Sequence, residues 1–253
     1  MTKQEALFEY CLRLGDDSLI LGHRLGEWCG VGPILEEDIA LTNVALDLIG
    51  QATSILNYAA QVENKDRDAD ALAYLRTDVQ YKNRLLCEQS NGDFAVTILR
   101  QFFYSAFYYH FYNELKNSND RQLVAIAEKS IKEVTYHLRH SGEWVIRLGD
   151  GTEESKQRLE AALTTLWRFT GEFFEMNEVD EILIAQGIAV DVKSIKPKWE
   201  ATIIEVFGKA TLEIPTAGIY MATGSQKGMH SEHLGYILAE MQSVPRAYPE
   251  AKW

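Results

Sequence analysis

Cysteine is scarce in this 253-residue chain. Cys11, Cys29 and Cys87 are the whole complement, odd in number and far apart, and no Cys-x-x-Cys occurs. That argues against a disulfide framework or a thiolate zinc site and fits a reducing, cytoplasmic compartment. Proline is also rare: Pro33, Pro197, Pro215, Pro245 and Pro249 leave positions 34–196 free of any imino-acid break, so helix can run through most of the chain. Basic charge is in deficit, with 25 Lys plus Arg against 37 Asp plus Glu, a net charge of -12, and no run of Lys or Arg. A free-standing nucleic-acid binder needs a clustered basic surface, so nucleic acid is not an expected partner. Nor is a membrane: the first residues, Met1-Thr2-Lys3-Gln4-Glu5, lack the basic and then apolar regions of a signal peptide. The most apolar stretch, Ala95 to Tyr112, is interrupted by Arg100, Gln101 and His110.

Apolar residues are plentiful at 46%, with 11% aromatic, enough for one large core. Their spacing is helical. Leu7, Cys11, Leu14, Ser18, Leu21, Leu25 and Trp28 form the stripe of a bundle helix that should end at Gly30 to Pro33. A second helix opens on Glu36, Glu37 and Asp38, acids suited to a helix N-terminus, and is apolar nearly all round. After the charged patch Glu63 to Asp68, a shorter helix is expected from about Ala69 to Glu88. A third long helix follows from about Phe94 to Lys116, and a fourth ends at Gly149-Asp150-Gly151. Further helices are expected at about Glu153 to Glu175, Lys196 to Thr211 and Glu232 to Gln242. Two long helices, a 30-residue connection and two more long helices define an all-α, ferritin-like four-helix bundle with a long crossover and additional C-terminal helices. The expected organisation is one domain, 1–253, with a C-terminal helical extension from about 152.

A di-metal site in such a bundle needs one carboxylate from each of two helices and a Glu-x-x-His pair from each of the others. Three acids recur at bundle-centre depth. Asp17 lies beside the first stripe, Asp47 is embedded among Leu46, Leu48 and Ile49, and Glu133 shares a face with His137. The rest of the set is missing. Gly50 stands where a histidine should follow Asp47, and Tyr136 where one should follow Glu133, with His137 one position late. The third helix has no acid between Asp93 and Glu114. The expectation is therefore no catalytic, cofactor-binding or metal residue on this chain, with the buried acids paired to Arg13, Arg24, Lys132 or Arg139. An autonomous di-iron oxidase or oxygenase using Asp17, Asp47, Glu133 and His137 is the competing expectation.

Other clusters point to structure. His230-Ser231-Glu232-His233 precedes the last helix, where Ser231 and Glu232 suit a helix start. Gly224-Ser225-Gln226-Lys227-Gly228 lacks the phosphate-loop spacing and reads as a turn or interface loop. His110 and the tyrosines of the third helix read as core or as contacts between subunits. Cys11 lies on a core stripe and Cys29 follows a Trp28 expected to be buried, so neither resembles an activated nucleophile.

Several long segments, in order, closely resemble the structural (C) subunits of bacterial phenylacetyl-CoA 1,2-epoxidases. They are Leu12-Arg13-Leu14-Gly15-Asp16-Asp17, Arg24-Leu25-Gly26-Glu27-Trp28-Cys29-Gly30, the run Asp38 to Ala52, Tyr136-His137-Leu138-Arg139, Arg147 to Thr152, and His230-Ser231-Glu232-His233-Leu234-Gly235 with Leu238 to Gln242. The likeness runs from about residue 7 to Trp253. It implies a multicomponent monooxygenase in which a separate ferritin-like catalytic subunit holds the di-iron site and a reductase with flavin and iron-sulfur groups brings electrons from NADPH. On that resemblance this chain is the catalytic subunit's inactive partner, and no cofactor or catalytic residue is carried onto it. The same surface suits a homodimer in isolation, and Lys193, Lys196, Lys198 and Lys227 are candidates for contact with CoA phosphates.

Overall fold

The computed structural model describes residues 1–215 and 218–249; the end of the chain, including Trp253 where the family likeness stops, lies outside the described residues. The described residues contain helices and no strand. The long helices are α1 (Lys3–Gly26), α2 (Leu35–Glu63), α5 (Phe94–Leu115) and α6 (Arg121–Gly149). The connection between the pairs holds α3 (Ala69–Tyr74) and α4 (Leu85–Glu88), and α7 (Glu153–Leu166), α8 (Glu178–Ile184), α9 (Val192–Lys209), α10 (Glu232–Met241) and α11 (Ser243–Ala247) complete the order. The fold class is all-α and ferritin-like. Two compact units emerge: one from Met1–Ser90 with the chain from Gly224 onward, the other Asn91–Thr223.

In the first unit α1 and α2 form an antiparallel hairpin. Gln4 near the start of α1 donates to the Val62 carbonyl near the end of α2, at 2.6 Å. Two glycines let the axes close up: a Cβ on Gly15 would stand 2.7 Å from Leu56 Cδ2, and one on Gly22 would stand 3.3 Å from the Ala45 carbonyl oxygen. Helix α1 starts on a reciprocal cap between Thr2 and Glu5. It stops a turn earlier than its stripe predicts, because Trp28 and Cys29 amides bond to the Leu25 and Gly26 carbonyls three residues back, tightening the last turn. Trp28 is consequently only half-buried, and Cys29 is exposed rather than sheltered. The Asp38 carboxylate then accepts from the Gly30 and Gly32 amides at 2.8 and 3.0 Å, fixing the turn to the first turn of α2. By length and composition α2 is apolar enough to cross a membrane, but half of its most apolar window is buried and it packs along α1 as a core helix.

The second unit is built around α5. Phe102, Phe103, Tyr104, Phe107, Tyr108 and Tyr112 are all fully buried. Helices α6, α7 and α9 each pack on α5. The helix expected over 153–175 divides into α7 and a 3₁₀ stretch, Trp167–Phe174. The tighter winding sets Phe173 in a stack with Phe107, centroids 4.5 Å apart, and Trp167 edge-on to Phe103 at 5.8 Å. Helix α9 begins earlier than Lys196 because the Asp191 side chain caps it, accepting from the Lys193 amide at 3.0 Å.

Candidate functional site

Helix α1 carries two adjacent acids, Asp16 and Asp17, and both are fully buried. Holding two carboxylates away from water costs several kcal/mol each unless partners compensate. The chain 76–88 supplies those partners. Arg76 grips Asp16 with both terminal nitrogens, one at 2.9 Å, and the Lys82 amide donates to the same carboxylate at 2.8 Å. Arg84 pairs with Asp17 through its guanidinium and donates its own amide at 2.6 Å, while the Cys87 thiol lies 3.6 Å from the same carboxylate.

These bonds explain why one continuous helix over 69–88 does not form. The Lys82 and Arg84 amides point at carboxylates of α1 and not at carbonyls four residues back, so the segment breaks into α3, a 3₁₀ turn at Asp78–Gln80 and α4. Thr77 and Gln80 cap that turn. Arg76 is also held by the Gln80 carbonyl at 3.0 Å and lies 4.3 Å from the centroid of the Tyr81 ring. Burial opposes the Arg76 charge, but the Asp16 carboxylate outweighs it and the guanidinium is held more firmly protonated than usual.

A third buried carboxylate, Glu88, joins this network to the C-terminal return. It accepts from Asn83 Nδ2 at 2.9 Å, from the Ser231 amide at 2.6 Å and from His230 Nδ1 at 2.8 Å. His230 Nε2 lies 3.0 Å from the Tyr81 carbonyl, which can only accept. With Glu88 ionised both ring nitrogens donate, the arrangement that suits the imidazolium. Burial opposes that charge, yet the Glu88 carboxylate, the Tyr81 carbonyl and the nearby Asp16 raise the pKa above the ordinary histidine value. Three buried carboxylates thus meet three cations, Arg76, Arg84 and His230. Arg24 clamps the Glu88 carbonyl at 2.9 and 3.1 Å and reaches the His233 carbonyl at 3.3 Å, and Gln242 Nε2 donates to the Arg76 carbonyl at 2.8 Å.

The structure adds partners that the expected pairing of the buried acids did not name, Arg76 for Asp16 and Arg84 for Asp17. Arg13 lies 3.5 Å from Glu9 on its own helix, Arg24 binds Glu27 and the carbonyls just named, and Lys132 and Arg139 are exposed. Asp16, adjacent to Asp17, is held in an ion pair of its own. Asp47, half-buried on α2, shares the first unit with Asp17, whereas the half-buried Glu133 and the fully buried His137 lie one turn apart on α6 in the second. Among the described residues no group of three or more His, Cys, Asp or Glu side chains is placed to hold a metal ion. The residues do not fit a di-iron centre, since the Asp17 carboxylate is already engaged by an arginine and an amide. Ser231 does precede α10, but it makes no side-chain cap. The Gly224–Gly228 loop is a tight turn with φ of +134° and +75° at its two glycines. A Cβ on Gly228 would stand 2.2 Å from the Val79 carbonyl oxygen. Of the lysines considered for phosphate contact, Lys198 pairs with Glu114 at 2.6 Å and Lys196 lies 3.9 Å from Glu200.

The family model described as Phenylacetic acid catabolic protein matches residues 1–253. Among curated proteins, the chain is similar to a protein of Escherichia coli (strain K12) named as the C subunit of 1,2-phenylacetyl-CoA epoxidase. The two are 48% identical over 247 residues, covering 98% of this chain and 99% of that relative.

Proposed function

The chain belongs to the phenylacetic acid catabolic protein family, and on that footing we propose that it is the non-catalytic structural subunit of a multicomponent di-iron monooxygenase that epoxidises the aromatic ring of phenylacetyl-CoA. Near-full-length identity to a relative named as the C subunit of such an epoxidase supports the place in the complex. The observation that carries the non-catalytic part is the state of Asp17. At the depth where the first bundle helix would offer a metal ligand, its carboxylate is bound to the Arg84 guanidinium and amide. A carboxylate so engaged would have to surrender a buried ion pair before it could ligate a metal. The partner is a ferritin-like catalytic subunit in the cytoplasm, which carries the di-iron group, and a reductase with NADPH, flavin and iron-sulfur groups supplies electrons. This chain supplies a rigid wall that keeps the catalytic helices, and so the iron ligands, in place.

Co-expression with the catalytic subunit tests the proposal. A stable, salt-resistant complex with an interface of about 2,000 Å² or more is expected, with ring epoxidation of phenylacetyl-CoA present only when the catalytic subunit is included. Metal analysis of this chain purified alone should find iron well below one atom per chain. About two irons per chain, with turnover in the absence of other subunits, would reverse the assignment in favour of an autonomous enzyme.

A further inference from the structure

Against the acidic balance of the whole chain, α6 is basic: it carries five Lys and Arg and three Glu, a net of +2. At 100° per residue its cations fall on one face. Arg121, Lys129, Lys132, Arg139 and Arg147 all project within an arc opposite the buried stripe of Leu123, Ile126, Val134 and Val145, and all five are exposed. None of the five makes an ion pair among the described residues, although Glu143 lies within the same arc and Glu128 at its edge, which leaves the face a net +3.

Aromatic rings punctuate the row. Tyr136, 40% exposed, stacks on His140 with centroids 5.8 Å apart, and the Arg139 guanidinium lies 5.7 Å from the Tyr136 ring. Arg147 sits 5.3 Å from the Trp144 ring in the same way. Arginines braced by aromatic rings are the side chains that dominate protein interfaces. The geometry also selects the shape of the occupant. From Arg121 to Arg147 the row is about 39 Å long, several Debye lengths at ordinary salt, so its charges do not converge on a single phosphate or carboxylate. It fits an extended acidic surface lying along the helix.

We infer that the exposed face of α6 is an electrostatic docking surface for an acidic protein surface, contributed by another subunit of the assembly proposed above. The inference rests on that proposal for the source of the partner and on charge complementarity for its chemistry. Complementary charge on such a face acts chiefly on the rate of encounter and on partner choice.

The test uses the full-length chain and the separately purified subunits of the epoxidase, with association rates measured between low and physiological salt. Lys132→Glu combined with Arg139→Glu reverses two central charges at exposed positions. Helix content and melting temperature provide the folding control, and Lys132→Gln with Arg139→Gln carries the test if the reversal disturbs folding. Wild type should bind at least one subunit at a rate that falls steeply with salt, and the double reversal should slow that association at least about tenfold and flatten its salt dependence. If wild type binds no subunit at any salt, both the assignment to the complex and the docking face are overturned. If it binds, and the variants associate with every subunit at unchanged rates and salt dependence, the docking face alone is overturned. A short fluorescent single-stranded oligonucleotide serves as the counter-probe. Salt-sensitive binding of it that the reversal abolishes, with association between subunits unchanged, would make this a nucleic-acid face and overturn the inference.

Discussion

The two compact units solve the problem of an interior in opposite ways. The unit built on α1 and α2 buries Asp16, Asp17 and Glu88 and neutralises them with Arg76, Arg84 and His230, whereas the unit built on α5 buries a column of Phe, Tyr and Trp rings. Apolar packing is non-directional and tolerates exchange of similar volumes, but a buried ion network fixes which segment meets which. The carboxylates of α1 therefore specify the path of the crossover, and the aromatic column of α5 specifies little beyond closeness.

The largest effects should come from breaking each interior at its centre. Arg76→Met leaves Asp16 buried without its guanidinium and should cost about 3–5 kcal/mol of stability in urea unfolding. Phe107→Ala opens a cavity among Phe111, Phe173 and Tyr108 and should cost a similar 3–5 kcal/mol. The repairs separate them. Adding Asp16→Leu to Arg76→Met should recover most of the loss, because the unpaired charge goes with its partner, and no single apolar substitution should repair Phe107→Ala as fully. An Arg76→Met variant within about 1 kcal/mol of wild type would show that the ion network is incidental.

A smaller effect tests how rigid the two interiors are. A Cβ on Gly15 meets the buried Leu56 side chain at Cδ2, 2.7 Å, and Cγ, 2.9 Å, which must shift, but alanine improves helix propensity, so Gly15→Ala should cost no more than about 1–2 kcal/mol. A Cβ on Gly149 meets the Ala210 carbonyl oxygen at 2.1 Å, where backbone must move, and Gly149→Ala should cost about 1–3 kcal/mol. Equal melting temperatures for the two variants would mean that the close approach of α6 to the end of α9 is not maintained in solution.

The aromatic interior is the easier to read from sequence. The boundaries of α5 and α6 fall close to expectation because Asp93 and Asp120 cap them and their apolar stripes are continuous, all of it information within a turn or two. The crossover reads wrongly as one helix because its break is imposed from a distance: Lys82 and Arg84 turn their amides to acids more than sixty residues earlier. Asp17 stands out as a polar residue beside a core stripe, but spacing can be counted only along the long helices, and its partners lie in the irregular segment that holds Arg76 and Arg84. Two adjacent acids at an apolar stripe, with Arg76 and Arg84 eight residues apart in the long crossover, is the signal the sequence does carry. The 3₁₀ winding at Trp167–Phe174 has no comparable signal, since it depends on where Phe103 and Phe107 place their rings.

The finest contrast is in the response to pH, where His230 of the first unit and His110 of the second are shifted opposite ways, while His23 on α1 is lowered by burial as His110 is. His230 is raised: burial opposes its charge, but the Glu88 carboxylate, the Tyr81 carbonyl and Asp16 prevail, so the folded state holds a proton that the unfolded chain would release. Its stabilisation is complete below the ordinary histidine value of about 6.5 and is lost as pH rises through the folded value. His110, bonded to Thr202 at 2.9 Å, is lowered, first by burial and then by the Lys198 ammonium, against a partial offset from Glu114. There the unfolded chain takes the extra proton, so stability is lost as pH falls below about 6.5. Amide hydrogen exchange followed separately in α10 and α9, between about pH 5 and 9 after correction for intrinsic rates, should show protection of α10 declining on the alkaline side and of α9 on the acid side. His230→Gln should abolish the first trend and leave the second, and His110→Gln the reverse. If α10 keeps its protection through alkaline pH in wild type, the His230 proton is not what binds the C-terminal return to Glu88, and the first unit is held by its arginines alone.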